Sequence, residues 1–335
     1  MMALRPTRTQ AGYLALLVLL LALPSLGAYP VFVMKVLCFA LFACAFNLLI
    51  GYTGLLSFGH ASFFGGAAYA AGYALKVWGW PTPLGLAFGV AVAAALGLVF
   101  GWLSIRRAGI YLTMITLALA QMVYFFCLQA PFTGGEDGLQ SVPRGTLLGL
   151  GLEDDLRLYF VVVGTFGLGF LAIHRIVHSP FGQVLQAIRE NEPRAISLGY
   201  DVNRFKLLAF VLSAGLAGLA GGLKTTVLGF ATLTDVVWTT SGAVVLMTLV
   251  GGMGTLVGPI VGAAVIVSLE SKVGDLGTWL ARTTGVEWFA GLGESVTIVT
   301  GLIFVLSVSL FRAGLVGELA ALVRRLEARR SASVR

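Results

Sequence analysis

The sequence predicts an all-α fold: a polytopic membrane helical bundle of about ten spans, with both termini cytoplasmic and an internal repeat. Three observations predict it. Hydrophobic residues make up 58% of the 335 and charged residues only 11%, against roughly 25% charged in soluble domains. No soluble fold of this length hides so much apolar surface, whereas a bilayer accepts it as solvent. The apolar residues fall in runs near the roughly 20 residues that a helix needs to cross a membrane. Finally, Lys and Arg collect in alternate connections, as the positive-inside rule requires. The net charge of +7 is therefore placed at the membrane surface, with no nucleic-acid partner.

In chain order the runs are 11–29, 31–50, 55–77, 84–105, 109–129, 157–173 and 207–230, then 235–250 and 255–271, and last 295–311. The first run, preceded by Arg5 and Arg8, superficially resembles a secretory signal. Its length and the spans that follow at once favour an uncleaved helix. The stretch 235–271 is too long for one helix and is divided at Gly251-Gly252-Met253-Gly254. With a cytoplasmic N-terminus the inner segments carry Arg5, Arg8, Arg106, Arg107, Arg175, Arg189, Arg194, Arg204, Lys206, Arg312, Arg324, Arg325, Arg329, Arg330 and Arg335. These are 15 of the 22 Lys and Arg residues, while 10 of the 15 carboxylates lie on or near the outer side. An odd number of spans would put the basic tail outside, so the glycine-rich division supplies a needed crossing. Trp78, Trp80 and Trp238 are expected at outer helix ends and Trp102 at an inner one, as belt residues.

Residues 1–335 read as a single transmembrane domain with a cytoplasmic loop at 174–206 and a basic tail at 312–335. In the tail, Leu319, Leu322, Val323 and Leu326 recur at helical spacing beside the arginines, which suits a helix lying on the anionic inner leaflet. Leu49-Ile50-Gly51-Tyr52-Thr53-Gly54-Leu55-Leu56 echoes Leu249-Val250-Gly251-Gly252-Met253-Gly254-Thr255-Leu256. Gly51, Gly54, Gly251 and Gly254 are thus expected helix breaks, the places where transporters tend to build binding sites. Chance likeness between glycine-rich spans is the plainer alternative.

Polar groups within spans are costly and hence functional candidates. For the translocation pathway these are Asn47, Tyr52, Thr53, Ser57, His60 and Gln121. His60 is open to three readings: a hydrogen-bonded core residue, a pathway group or a proton relay. Lys224 is read as snorkelling or as a counter-charge, and Lys35 and Lys76 as snorkelling at outer ends. Asp235 and Glu270 are placed at helix ends, leaving no acid pair in the spans, which disfavours a proton-coupled carrier. Gly218 and Gly222 form a small-residue face for close helix packing, within the chain or against a second membrane chain. Cys38, Cys44 and Cys127 lack metal-ligand or CxxC spacing and read as buried hydrophobes. No catalytic, cofactor or metal site is expected. Gly221-Gly222-Leu223-Lys224-Thr225 breaks the phosphate-loop spacing, so the chain is not its own ATPase and not an enzyme.

The loop at 174–206 carries its own punctuation. Ser179 is an N-cap with Pro180 at the first helical position, Pro193 starts a second short helix, and Gly199 ends it in a left-handed cap. Two short amphipathic helices suit docking onto another protein; a solvated loop on the headgroups is the alternative.

Several segments together resemble the permease subunits of branched-chain amino acid ABC importers. They are Ala187-Ile188-Arg189-Glu190-Asn191-Glu192 with Ala195 and Gly199, the run from Asn47 through His60 to Ala61, and Thr133-Gly134-Gly135-Glu136-Asp137-Gly138-Leu139. Lys206-Leu207-Leu208-Ala209-Phe210 onward, Gly251-Gly252-Met253-Gly254-Thr255-Leu256-Val257-Gly258-Pro259, and Phe311-Arg312-Ala313-Gly314 complete the set. The resemblance implies a multi-pass protein of the bacterial inner membrane. It implies a second homologous permease subunit, two cytoplasmic ATPases that hydrolyse ATP, and a periplasmic substrate-binding protein, besides lipid. It also implies that Arg189, Glu190, Glu192, Arg194, Ala195 and Gly199 belong to the ATPase-coupling element. The sequence departs from the wider E-A-A-x-x-x-G pattern, because Pro193 stands six residues before Gly199 and the acid is Glu192. Urea, amides or another small polar solute as cargo, and a self-sufficient carrier or channel, remain alternatives.

Overall fold

The computed structural model describes residues 29–107, 109–147 and 149–284, with positions 20, 23, 24, 27, 301, 302, 305 and 314–318 besides. The expected spans at 11–29 and 295–311 and the tail at 312–335 lie largely outside the described residues.

Helix α1 (Pro30–Thr53) is apolar on all sides and buried along most of its length, which marks it as a central helix. Helix α8 (Val202–Leu228) is its companion; it packs on α1, on α2 (His60–Lys76) and on α3 (Thr82–Ser104). Helix α5 (Asp155–Val177) covers another side of α1. Helices α9 (Trp238–Gly251) and α10 (Gly258–Thr284) pair with each other and against α1. Helix α4 (Ile110–Gln129) stays peripheral, with most of its surface uncovered. Between α5 and α8 lie the short helices α6 (Pro180–Glu190) and α7 (Glu192–Ser197). A two-stranded hairpin, β1 (Thr146–Leu147) and β2 (Leu150–Gly151), belongs to the α4–α5 connection.

Small residues let the central helices approach. A β-carbon at Gly218 would overlap Ala93, and one at Gly221 would overlap the Phe64 carbonyl. The small-residue face of α8 is therefore spent inside the chain, on α2 and α3, and not on a second permease.

Among the described residues five helices (α1, α3, α4, α5 and α8) are long and apolar enough to cross a membrane. Two further helices, α2 and α9, correct the expected spans. The run at 55–77 is not helical from its start. Gly54 takes φ 76° as the left-handed cap of α1, residues 54–59 are irregular, and α2 begins only at His60. Likewise α9 begins at Trp238 after an irregular stretch at 229–237 that leaves α8 through Gly229. Seventeen and fourteen residues give helices of about 25 and 21 Å, short of the ~30 Å hydrocarbon core. Conversely, α8 starts earlier than its apolar run at 207–230, because Asp201 accepts a hydrogen bond from the Arg204 amide at 3.3 Å and caps the helix below it. Helix α10 likewise extends beyond the expected 255–271.

Trp238 has a second environment. It opens α9 as expected and is 45% exposed, and it also shares a pocket with Gly54, Phe58 and Gly109. Trp78 and Trp80 do stand exposed together, against Phe88.

Candidate functional site: two helix breaks under a helical hairpin

The structure brings the two glycine breaks into contact. Asn47, one turn before Gly51, accepts a hydrogen bond from the Gly254 amide at 2.9 Å and donates to the Thr255 carbonyl at 2.8 Å. Its amide so uses both ends to hold the second break against the first. Gly51 has no room for a side chain, since a β-carbon would strike Asn47 and the Gly254 amide. From the other side the Arg189 guanidinium donates to the Gly51 carbonyl, and its aliphatic stem lies 3.1 Å from where a Gly54 β-carbon would be. Arg189, Glu190, Gln186, Gly51, Tyr52 and Gly254 line a polar cavity of about 480 Å³ at this junction. Residue 314 joins the same place, for Gly314 abuts Gly252 and the Leu249 carbonyl.

The hairpin that delivers Arg189 is built as its punctuation suggests. The Ser179 hydroxyl accepts from the Gly182 amide at 3.3 Å with Pro180 leading α6, Asn191 caps α7 by accepting from the Arg194 amide at 3.1 Å, and Gly199 takes φ 87°. Leu185 and Ile188 turn inward. Ile188, Ala195 and Val202 form one small core with Val184 and Phe205, and Phe181 stacks on Phe205 at 5.6 Å. Glu192 is tied to the almost fully buried Lys206 on α8 at 2.7 Å. Of the six expected coupling residues, Arg189, Glu192 and Ala195 thus act inward, as attachments to the bundle. Glu190 is exposed at the junction cavity, and Arg194 and Gly199 face outward, beside the exposed apolar side chains of Ile196, Leu198 and Tyr200.

The expected pathway residues separate into groups. Asn47 belongs to the clasp, Tyr52 lines the cavity beneath Arg189, and Thr53 bonds back to the Leu48 carbonyl at 3.3 Å. Ser57 accepts from the Gly59 amide at 3.2 Å and shapes the irregular stretch. His60 is fully buried among Phe46, Phe63 and Phe210. Its Nε2 meets the Ser213 hydroxyl at 2.9 Å, which itself donates to the Ala45 carbonyl at 2.6 Å. Since that hydroxyl proton is spent, Nε2 is the donor, and His60 links α2 through Ser213 to α1. Its Nδ1 has no partner among the described residues. Gln121 is half-buried on α4 and joins neither the clasp nor the pockets beside it.

Asp235 stands at a helix end as expected, closing a short 3-10 turn before α9, whereas Glu270 lies inside α10 and not at its end. The Asp235 carboxylate is not solvated there: it meets the Lys224 ammonium at 2.7 Å, with side chains only 7% and 5% exposed. The same carboxylate accepts from the Thr232 amide at 2.9 Å, while Lys224 also donates to the Phe230 carbonyl at 3.2 Å and lies over the Phe230 ring. Lys224 is therefore a counter-charge, not a snorkelling group. The pair fixes the irregular stretch at 229–237. A second strap secures that stretch: Leu139 and Ala231 exchange both peptide hydrogen bonds, at 2.8 and 2.9 Å. Gly138, at φ 70°, has Ala231 so close that a side chain would collide, which explains the glycines of the 133–139 segment. The signal that sequence reading lacked was distance along the chain, since Lys224 and Asp235 are separated by a turn that only the fold closes. Among the described residues no group of His, Cys, Asp and Glu is gathered to hold a metal ion.

The family model of the branched-chain amino acid transport system permease component matches residues 31–308. The chain belongs to that family. It is 30% identical over 293 residues to the high-affinity branched-chain amino acid transport system permease protein LivM of Escherichia coli (strain K12), covering 78% of this chain and 68% of that one. The LivM protein of Salmonella typhimurium is 29% identical, with the same coverage of 78% and 68%. An autoinducer 2 import system permease protein, LsrC of Enterobacter sp., is 28% identical over 61% of this chain and 59% of its own. The permease is accordingly a multi-pass membrane protein of ABC transport, related to transport components and not to enzymes.

Proposed function

We infer that the permease is the membrane-spanning subunit of an ATP-driven, binding-protein-dependent importer in the bacterial inner membrane, and that it passes branched-chain or related amino acids. The observation that carries this reading is the seat of the α6–α7 hairpin on the junction of the two broken helices. A hairpin attached through Arg189 and Glu192 moves the breaks when it moves, so force applied to it reaches the pathway. Its outer edge presents Ile196 and Leu198, 57% and 67% exposed, to the cytoplasmic side, which suits a groove on an ATPase. Energy therefore enters from two partner ATPases, and the chain itself needs no cofactor. The uncovered face of α4, with Met122, Phe125 and Phe126 exposed, suits a second, homologous permease. A periplasmic binding protein presents the cargo on the opposite side. The likeness to LivM supports amino acids over the cargo of the more distant LsrC.

The test is reconstitution of the chain with the subunits that co-purify with it. Leucine uptake into proteoliposomes that requires both ATP and the binding protein is the expected result. Uptake by the isolated chain, driven by an ion gradient, would overturn the reading. Import of urea or short amides with no amino acid uptake would keep the machine and change the cargo.

A further inference from the structure

The irregular stretch at 54–59 has a wall and a floor. Gly54, Leu55, Leu56 and Phe58 form one side of a pocket of about 620 Å³; Gly109 and the start of α4, through Leu112, Thr113, Met114 and Leu117, form the other, and Trp238 closes an end. That volume lies within the roughly 300–1,000 Å³ of small-molecule sites. The backbone of the stretch is only partly satisfied. The Phe58 amide donates to Thr116 at 3.2 Å and the Leu56 carbonyl accepts from Thr113 at 3.3 Å. The amide of Leu56, a lining residue, finds no partner among the described residues, whereas Ser57 is fully buried and does not line the pocket.

Irregular backbone at membrane depth is tolerated against protein or a water-filled cavity but not against lipid, because acyl chains cannot accept its hydrogen bonds. The pocket is thus a poor place for lipid in spite of its apolar side chains. We propose that this pocket is the stretch of the pathway that contacts cargo. Its leucines and Trp238 take the aliphatic side chain of an amino acid, and the Leu56 amide meets its polar end. The inference rests on the amino acid reading above and deepens it. It also explains why Arg189 packs on Gly54: the first residue of the pocket wall is held by the coupling hairpin, so a pull on the hairpin changes the pocket.

The test uses the assembled transporter in proteoliposomes with Met114→Cys, and separately Leu56→Cys, treated with a membrane-impermeant methanethiosulfonate. The native cysteines are buried, and the unmodified wild-type transporter supplies the background. Labelling of both positions is expected, together with at least a tenfold loss of leucine uptake after modification. Labelling only by a lipid-soluble maleimide would show a lipid-filled groove and overturn the proposal. So would modification that leaves uptake unchanged. The labelling is read without cargo, so its failure is separate from a failure of the amino acid reading, which would appear as a wild-type transporter that imports no leucine.

Discussion

At the residue scale, two buried polar contacts set the geometry of the site. Asn47 satisfies an amide and a carbonyl of the second break at once. Replacing it by Leu keeps the volume and strands both peptide groups, at about 1–3 kcal/mol for each buried group left unpaired. Asn47→Leu is expected to lower the melting temperature of the purified permease and to abolish transport; a variant with unchanged melting would show that water replaces the clasp. The pair of Lys224 and Asp235 is the second contact. Removing one partner of a buried ion pair costs about 3–5 kcal/mol, whereas replacing both by apolar groups is often close to neutral. Lys224→Met and Asp235→Asn should therefore each reduce the amount of folded protein strongly, and Lys224→Met with Asp235→Leu should recover most of it. Fluorescence-detected gel filtration of the three variants distinguishes this pattern from simple additivity.

At the element scale the hairpin of α6 and α7 is a lever with two attachments. The charge pair of Glu192 and Lys206 holds α7 to α8, and Arg189 holds α6 to the breaks. Glu192→Lys places two ammonium groups together at a half-covered site, so α7 should detach and ATP-dependent uptake should fall at least tenfold. The swap Glu192→Lys with Lys206→Glu restores opposite charges and should recover a substantial part of the uptake. If the swap recovers nothing, Glu192 serves the partner and not its own bundle. The caps of the hairpin were legible in the sequence, because Ser179, Pro180 and Gly199 act through local backbone chemistry. The inward role of Glu192 was not, because its partner belongs to the next helix and no local pattern points to it. Helix starts at His60 and Trp238 were missed for a related reason: hydrophobicity marks depth in the membrane, and irregular backbone buried in protein is as apolar as a helix.

At the scale of the whole molecule, composition and charge asymmetry placed the chain in the membrane class, and the apolar runs located α1, α3, α4 and α5 to within a few residues. What they left open was which elements meet. The echo between the two glycine segments was visible as a string, but their contact through Asn47 and Arg189 is a property of the packed bundle. The same holds for Gly218 and Gly221, whose small size is used against α2 and α3. The arrangement puts the hairpin, both breaks and residue 314 at one end of the bundle, and the 133–139 segment with the irregular stretch at 229–237 toward the other. Impermeant labelling of a cysteine placed at Ser197 should therefore require access from the cytoplasm, and one placed at Asp137 access from the periplasm. Labelling of both from one side would refute the orientation.

The central claim is that the outer edge of the α6–α7 hairpin is where an ATPase takes hold. A photo-crosslinking amino acid at Leu198, in the full chain expressed in its native membrane, tests it most directly. The expected adduct, identified by mass spectrometry, is with a subunit carrying a phosphate-loop ATPase sequence. Adducts with lipid alone, or none, would contradict it.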